Sequence, residues 1–521
     1  MTRAQPPSDD DAVIAFLTDV LGGAGGPAKV IVTHLSKVFL GKDRVLKLKR
    51  AVQFPFLDFR SLAARHKACL DEVAINSRFA PDLYKGVVAI TQAANGTLAL
   101  DGDGDVVDYV VDMQRFDEAT LFDHLADTPR GLRRPMIEGL ADEIARLHAE
   151  GEPSTTHGGF AGIRMIAENN VQSFDALDGN MFDAALVERV TTETLVRIDT
   201  VRALLDARRD AGHVRHCHGD LHLRNICLWH GKPTLFDGIE FSDDFAIIDT
   251  GYDLAFVLMD AQFLGHRRLA SMLMNRYLDV ADDTPELFRV LPIFLSMRAQ
   301  IRAHVSAAAV AGQADAQARR AMADKARAYL VLAADYLAPA PPRLVAVGGL
   351  SGSGKSRLAR EVANYLGQPP GARVVRTDVK RKRLAGIHPN ETLGVEGYSA
   401  EMTERTYAAF FDEAASAIRA GQCAVLDAVF AMPDQRAQAK ALAGTLGVSF
   451  TGVWVSAPED VRVSRVVARE RNVSDVTPDI ARGQSDYDVG AVTWATVDSS
   501  GSKEDTIHQG LAVLGVDTPS E

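Results

Sequence analysis

The sequence predicts two regions of different class: an α+β region over residues 1–338, then an α/β region with a parallel sheet over residues 339–521. Three observations carry this division. Residues 337–342, LAPAPP, form a proline–alanine segment between a helical stretch and an apolar run. After it, apolar runs at 344–347, 374–377, 424–426 and 451–455 alternate with helical stretches, the rhythm of parallel strands joined by crossover helices. Before it, short β-like runs come first and helical periodicity follows.

Taken in order, residues 9–21 place apolar side chains at 13, 14, 16, 17, 20 and 21, the spacing of an amphipathic helix. The glycines of 22–27, GGAGGP, stop it. Three β-like runs follow at 30–33, 38–40 and 45–49, then a helix over 62–79. The runs 98–100 and 106–113 flank DGDGD (101–105) and read as a hairpin. From 121 to 211 the pattern is mostly helical, with Ile137, Leu140, Ala141, Ile144, Leu147 and His148 on one face.

Composition bounds the function. The 521 residues carry 57 Lys+Arg against 69 Asp+Glu, a formal charge of −12, and 47% are hydrophobic. That is ordinary globular composition and excludes disordered, collagen-like and coiled-coil chains. The acidic excess argues against a protein that coats nucleic acid or membrane, because such a surface needs local positive charge. The opening MTRAQPPSDDDAV lacks an apolar signal core, and no run approaches the ~18 apolar residues that span a bilayer. Four cysteines (69, 217, 227 and 423) with no CxxC suit a reducing compartment. The expectation is a cytoplasmic protein without a membrane partner.

Residues 349–356, GLSGSGKS, match the phosphate-loop pattern between an apolar strand and a helix. Its backbone N–H groups, with Gly349, Ser351, Gly352, Ser353 and Gly354, can cradle phosphate oxygens of ATP, and Lys355 neutralises their charge. Ser356 can hold Mg²⁺. Asp378, after the second apolar run, can take a proton from an acceptor hydroxyl, with helix capping as its competing role. Asp427, after the third, stands where an acid orients Mg²⁺, with a strand-end turn as the competing role. Arg462, Arg465, Arg469 and Arg471 line up as an arginine lid over phosphate or as a solvated helix face.

In the first region, residues 216–226 read HCHGDLHLRNI. His218-Gly219-Asp220, with Asn225 five residues after the aspartate, has the spacing of a kinase catalytic loop: a carboxylate for the acceptor hydroxyl and an amide oxygen for Mg²⁺. Asp237 follows an apolar strand about 12 residues on, where kinases place the second metal ligand. The histidines and Cys217 nearby match no tetrahedral zinc spacing. Asp253 reads as a structural brace.

GLSGSGKS, TDVKRKRL, VLDAVF and APEDVRVSRVVARERN together resemble the small P-loop kinases near gluconate kinases, zeta toxins and polynucleotide kinases, over roughly 343–514. The resemblance implies a P-loop NTPase-type domain with Asp378 as general base, Arg381 on substrate or phosphate, and Asp427 near the metal; on the lid reading Arg465 and Arg469 contact the nucleotide. HCHGDLHLRN, LFDGIEF and IDTGYDLAF resemble the aminoglycoside phosphotransferase and choline kinase superfamily, over roughly 30–337. This implies a two-lobed protein-kinase-like domain with Asp220 as base, Asn225 and Asp237 on Mg²⁺, and Lys47 on phosphate with Glu72 as its partner. Lys49 competes with Lys47, since both point the same way from a strand. The usual glycine-rich kinase loop is absent, and only 33–36 joins the first two strands.

The function expected is therefore a bifunctional ATP-dependent phosphotransferase acting on hydroxyls of small polar molecules such as sugars, amino sugars or amino alcohols. Two other functions compete. One is a nucleic-acid 5′-hydroxyl kinase, suggested by the basic residues Arg373, Arg376, Lys380, Arg381, Lys382 and Arg383 and opposed by the acidic whole and the lack of a stacking platform. The other is a nucleotide-sensing domain that regulates its neighbour.

Overall fold

A computed structural model gives the fold and describes residues 9–516 apart from 24–25, 55–56, 129–130, 178 and 469–476. The fold divides into two compact units, Met1–Gly162 with Arg208–Leu254 and Ile163–Ala207 with Ala255–Glu521. Compactness thus groups the helices of 255–337 with the parallel sheet, whose first strand in sequence begins at Arg343. No described helix is long and apolar enough to cross a membrane.

The first unit is built on an antiparallel sheet in the spatial order Lys29–Val32, Ser36–Leu40, Arg44–Lys49, Asp105–Gln114, Tyr84–Gln92, Leu98–Leu100. The hairpin expected across 101–105 does not form. Leu98–Leu100 and Asp105–Gln114 each pair with Tyr84–Gln92, a strand outside every run expected from the sequence. Gly86 sits inside it where the register shifts, and a glycine there blurs the two-residue alternation. Asp101 instead turns the chain in a left-handed conformation, its carboxylate accepting the Ala89 N–H at 2.9 Å.

Strand Arg44–Lys49 has two distinct faces. Leu46 and Leu48 enter a core with Val13, Leu17, Phe39 and Val110. Each buried leucine contributes about 2 kcal/mol. Val45 points the other way, into a core with Cys69, Leu83 and Met113. Lys47 and Lys49 alternate onto Val45's face. That face meets helix Leu62–Asn76, whose Ser61 hydroxyl caps it by accepting the Ala64 N–H at 3.2 Å. The helix buries Arg65, Ala68, Cys69, Glu72 and Asn76, one stripe at three- and four-residue spacing.

The rest of this unit carries the HGD loop. Val214–His216 pairs antiparallel with Ile247–Asp249 before the loop. Ile226–Trp229 and Lys232–Leu235 form a hairpin after it. Both central turn residues, His230 and Gly231, have positive φ, as a two-residue turn between twisted strands requires.

In the second unit five parallel strands lie in the order Arg373–Arg376, Ala424–Asp427, Arg343–Gly348, Ser449–Ser456, Ala495–Asp498. Four are the expected ones. The fifth, ATVD, is short and mostly exposed, so it carries little apolar signal. The first strand is an edge, and helix Arg267–Val280 covers it. Asn275 Oδ1 accepts the Val374 N–H at 2.7 Å and its Nδ2 donates to the Ala372 carbonyl at 3.1 Å, so one side chain stands in for a neighbouring strand.

Candidate functional site

The first unit gathers its charged residues into one alternating chain. Lys47 Nζ donates to Glu72 Oε1 at 2.8 Å and also pairs with Asp237. Lys49 Nζ reaches the other oxygen of Glu72, Oε2, at 2.6 Å and also pairs with Glu240. Burial alone would raise the Glu72 pKa, but the two ammonium groups overcome it and hold the carboxyl at about 2. Burial lowers the Lys47 pKa, and Asp237 and Glu72 more than reverse this, raising it well above the ordinary value. Both lysines therefore stay charged at neutral pH. Lys47, Glu72 and Asp237, implied by the resemblance, come together; Glu240 was legible only as a letter in LFDGIEF.

Asp237 has a left-handed backbone, φ 62°. Its N–H donates to the Tyr84 hydroxyl at 3.1 Å, and the next N–H, of Gly238, donates to Asn76 Oδ1 at 2.7 Å. Asn76 Nδ2 donates to the Glu72 carbonyl at 3.0 Å, so one helix fixes both the acid and the turn.

The HGD loop is held from below. Asp253, fully buried, accepts the N–H groups of His218 (3.2 Å) and Gly219 (2.8 Å) and meets His148 Nε2 at 3.1 Å. This is the brace expected of it. His148, Cys217 and Asp253 lie close enough to share a metal ion. Asp253 already takes two backbone donors, and Cys217 Sγ contacts the Ile248 carbonyl at 3.5 Å, so packing and hydrogen bonding account for the group. His218 Nε2 contacts the Phe236 carbonyl at 2.9 Å, joining the loop to the residue before Asp237. Burial lowers the His218 pKa, so the ring is neutral. Asn225 Nδ2 donates to the Asp220 carbonyl at 3.0 Å and to its Oδ2 at 3.1 Å. The Asp220 and Asp237 side chains remain 40% and 43% exposed, so both carboxylates face solvent while their supports are buried.

The phosphate loop of the second unit is built from backbone. A Cβ at Gly349 would lie 2.4 Å from the Val455 carbonyl oxygen, and one at Gly352 would lie 2.3 Å from that of Arg462. Both glycines also have positive φ, so only glycine fits. Ser351 N–H donates to Gln484 Oε1 at 2.7 Å. Arg462 Nη1 donates to the Ser351 carbonyl at 3.3 Å, and Ser499 Oγ to that of Ser353 at 2.6 Å. Gln484 and Ser499 had no sequence signal, because their role depends on tertiary approach. Ser356 Oγ donates to Asp427 Oδ1 at 3.1 Å, and Arg376 Nε reaches Asp427 Oδ2 at 3.2 Å. Lys355 opens the helix Lys355–Ala363.

Other expected residues have more internal roles. Asp378 is not a helix cap: Arg376 occupies that position on helix Thr377–Leu384. Burial lowers the Arg376 pKa, but Asp427 and Asp378 raise it above the ordinary value. Arg381 donates to the Gly397 carbonyl at 2.8 Å and to Thr403 Oγ1 at 3.1 Å, with its guanidinium 5.0 Å from the Tyr398 ring centroid. Arg465 Nη1 donates to Ser499 Oγ at 3.2 Å. Arg462 and Arg465 therefore brace the phosphate loop's surroundings. Arg469 and Arg471 lie outside the described residues.

Most of the basic run that suggested a nucleic-acid surface is tied up internally, although Arg383 itself is exposed. Arg373 is buried against Glu413, Asp279 and Asn275, and Lys380 pairs with Glu413. Lys382 is buried, with Nζ 3.4 Å from the Pro389 carbonyl. Arg383 donates to the carbonyls of Leu278 and Ala281, both at 3.0 Å. These partners give the charges internal roles within the unit.

The residues fit the ligands the motifs imply. Asp220, Asn225 and Asp237 in one unit, and Ser356 and Asp427 in the other, supply the hard oxygen donors that suit Mg²⁺. Ser353 Oγ is buried without a protein partner inside the phosphate loop, a donor in the position where a phosphate oxygen would satisfy it.

Residues 344–485 match the family model described as an AAA domain. Over 489 residues the chain is 28% identical to uncharacterised proteins of Mycobacterium tuberculosis and Mycobacterium bovis, covering 92% of this chain and 93% of each relative. Among solved structures it is similar to a choline/ethanolamine kinase family protein from Mesorhizobium loti, 15% identical with a TM-score of 0.38 over 62% of this chain and 98% of that one. It is also similar to a gluconokinase from Sinorhizobium meliloti 1021, 20% identical with a TM-score of 0.25 over 34% of this chain and 94% of that one.

Proposed function

We propose that the chain is a bifunctional ATP-dependent phosphotransferase, each centre moving the γ-phosphoryl group of ATP to a hydroxyl of a small polar metabolite such as a sugar, amino sugar or amino alcohol. The observation that carries this is the first unit's loop. It holds an exposed Asp220 on a buried frame and is joined through His218 to the turn that carries Asp237.

In the first centre Asp220 accepts the acceptor hydroxyl's proton as its oxygen bonds to phosphorus and the bond to ADP breaks. Asn225 keeps that carboxylate oriented. Lys47 neutralises phosphate charge, and Asn225 with Asp237 would hold Mg²⁺. In the second centre the N–H groups of 349–356 and Lys355 hold the phosphates, Ser356 and Asp427 would hold Mg²⁺, and Asp378 takes the proton. Mg²⁺, when bound, supplies neutralisation of the phosphate charge. Joining two such centres in one chain raises the effective concentration of a shared intermediate, which supports successive phosphorylation of one metabolite.

The test is direct. The protein is incubated with ATP, Mg²⁺ and a metabolite extract, and mass spectrometry reads gains of one or two phosphoryl groups. Asp220→Ala and Lys355→Ala should each remove a different gain. Unchanged ATP turnover in both variants would reject the reading.

A further inference from the structure

We infer that Lys49 and Glu240 are a positioning pair for the first centre: they hold Glu72 independently of Lys47, so that Lys47 can leave Asp237 for the phosphates of ATP. The inference rests on the phosphotransfer reading of that centre and goes beyond the Lys47–Glu72 pairing.

Lys47 and Lys49 project from the same face of strand Arg44–Lys49, and each takes a different oxygen of Glu72. Their second partners, Asp237 and Glu240, belong to the single turn 237–240. Two charged rungs therefore join the strand to the turn, with Glu72 bridging them. The rungs differ in exposure. The Asp237 carboxylate is 43% exposed, whereas the Lys49 and Glu240 side chains are 1% and 6% exposed. One rung can open toward a ligand and the other is sealed.

The open rung has a conflict built into it. Lys47 sits on one oxygen of Asp237, where Mg²⁺ would compete with it for the carboxylate's charge, and Lys47 must move if it is to reach phosphate. If Lys47 were the only cation on Glu72, that movement would leave a buried carboxylate unpaired, which is strongly unfavourable. Lys49 removes the conflict, because Glu72 keeps a cation at 2.6 Å throughout. The sealed pair also fixes the turn, so Asp237 is held by its backbone when its side chain lets go. Two Leu-sized residues would fill the same space without desolvating charge, so packing alone gives no reason for ions here.

The test uses the full chain with Lys355→Ala, which silences the second centre. In that background Lys49→Met/Glu240→Met removes both buried charges and keeps the volume. The melting temperature should stay within a few degrees of the parent, while KM for ATP rises about tenfold and kcat falls less, because Lys47 is then retained by Glu72 and Asp237. Wild-type KM and kcat in a folded double variant would overturn the inference. Should that variant not fold, Lys49→Arg against Lys49→Gln decides the question: the arginine should restore KM and the glutamine should not, and equal values overturn it. Failure of the underlying reading looks different. The Lys355→Ala parent would then show no ATP turnover that Asp220→Ala abolishes, and the inference would fall with it.

Discussion

The two units prepare for phosphate by opposite means. The first uses side chains, an alternating series of Asp237, Lys47, Glu72, Lys49 and Glu240 drawn from a strand, a helix and a turn. The second uses backbone, a glycine loop whose shape is enforced from outside by Gln484, Arg462 and Ser499. A side-chain site can rearrange by exchanging partners. A backbone site is preformed, and its cost lies in positive-φ glycines with no room for a Cβ.

The largest effects should separate the centres chemically. Asp220→Ala should lower first-centre turnover by about 10³-fold, as expected for loss of a general base, and leave the second centre's product unchanged. Lys355→Ala should do the converse by roughly 10²-fold or more, through lost neutralisation of phosphate charge. Product-resolved mass spectrometry checks both, and a shared loss would break the comparison.

The next effect concerns the second unit's frame. Asn275→Ala removes the side chain that pairs with edge strand Arg373–Arg376 and leaves Arg373 without one partner. Chemical denaturation should show a loss of about 3 kcal/mol, since buried charge and backbone groups are both orphaned. A fragment of 342–521 lacks Asn275 and Asp279 and should be less stable still. A fragment that melts with the intact chain would show that helix Arg267–Val280 is dispensable.

Gly352→Ala sharpens the backbone side of the comparison. Its Cβ would press on the Arg462 carbonyl at 2.3 Å from a left-handed backbone, so about 2 kcal/mol of strain and loss of ATP binding by the second centre are expected. Nucleotide titration against the parent reads it, as one binding site fewer per chain.

The smallest effect is acid sensitivity. Burial holds His304 at a pKa of about 4, below the ordinary 6.5. The unfolded chain therefore binds a proton that the folded one refuses. The stability involved is present above about pH 6.5 and is lost as pH falls toward 4, amounting to about 1 kcal/mol at pH 5.5. His304→Gln should flatten this part of the pH profile of the second unit's melting.

Legibility in the sequence followed contiguity. GLSGSGKS and HGDLHLRN were readable because each motif's determinants lie within about ten residues, with apolar strands and hairpin turns to place them. Strand Tyr84–Gln92 was not, because Gly86 interrupts its alternation. Lys47 and Lys49 could not be told apart, because alternation puts both on one face; only their partners across 25 and about 190 residues distinguish them. The run 373–383 read as a basic surface, because charge gives no sign of burial until Glu413, Asp279 and the carbonyls of Leu278 and Ala281 are brought to it.

By itself the sequence determined the two fold classes, the phosphate loop and the catalytic loop, since local periodicity and short spacings are set by the backbone's own geometry. Tertiary structure alone decided which second carboxylate each lysine meets, which arginines are struts, and that helix Arg267–Val280 completes the parallel sheet's edge. The physical reason is that an ion's role depends on its partner and its burial, and both are properties of residues distant in sequence.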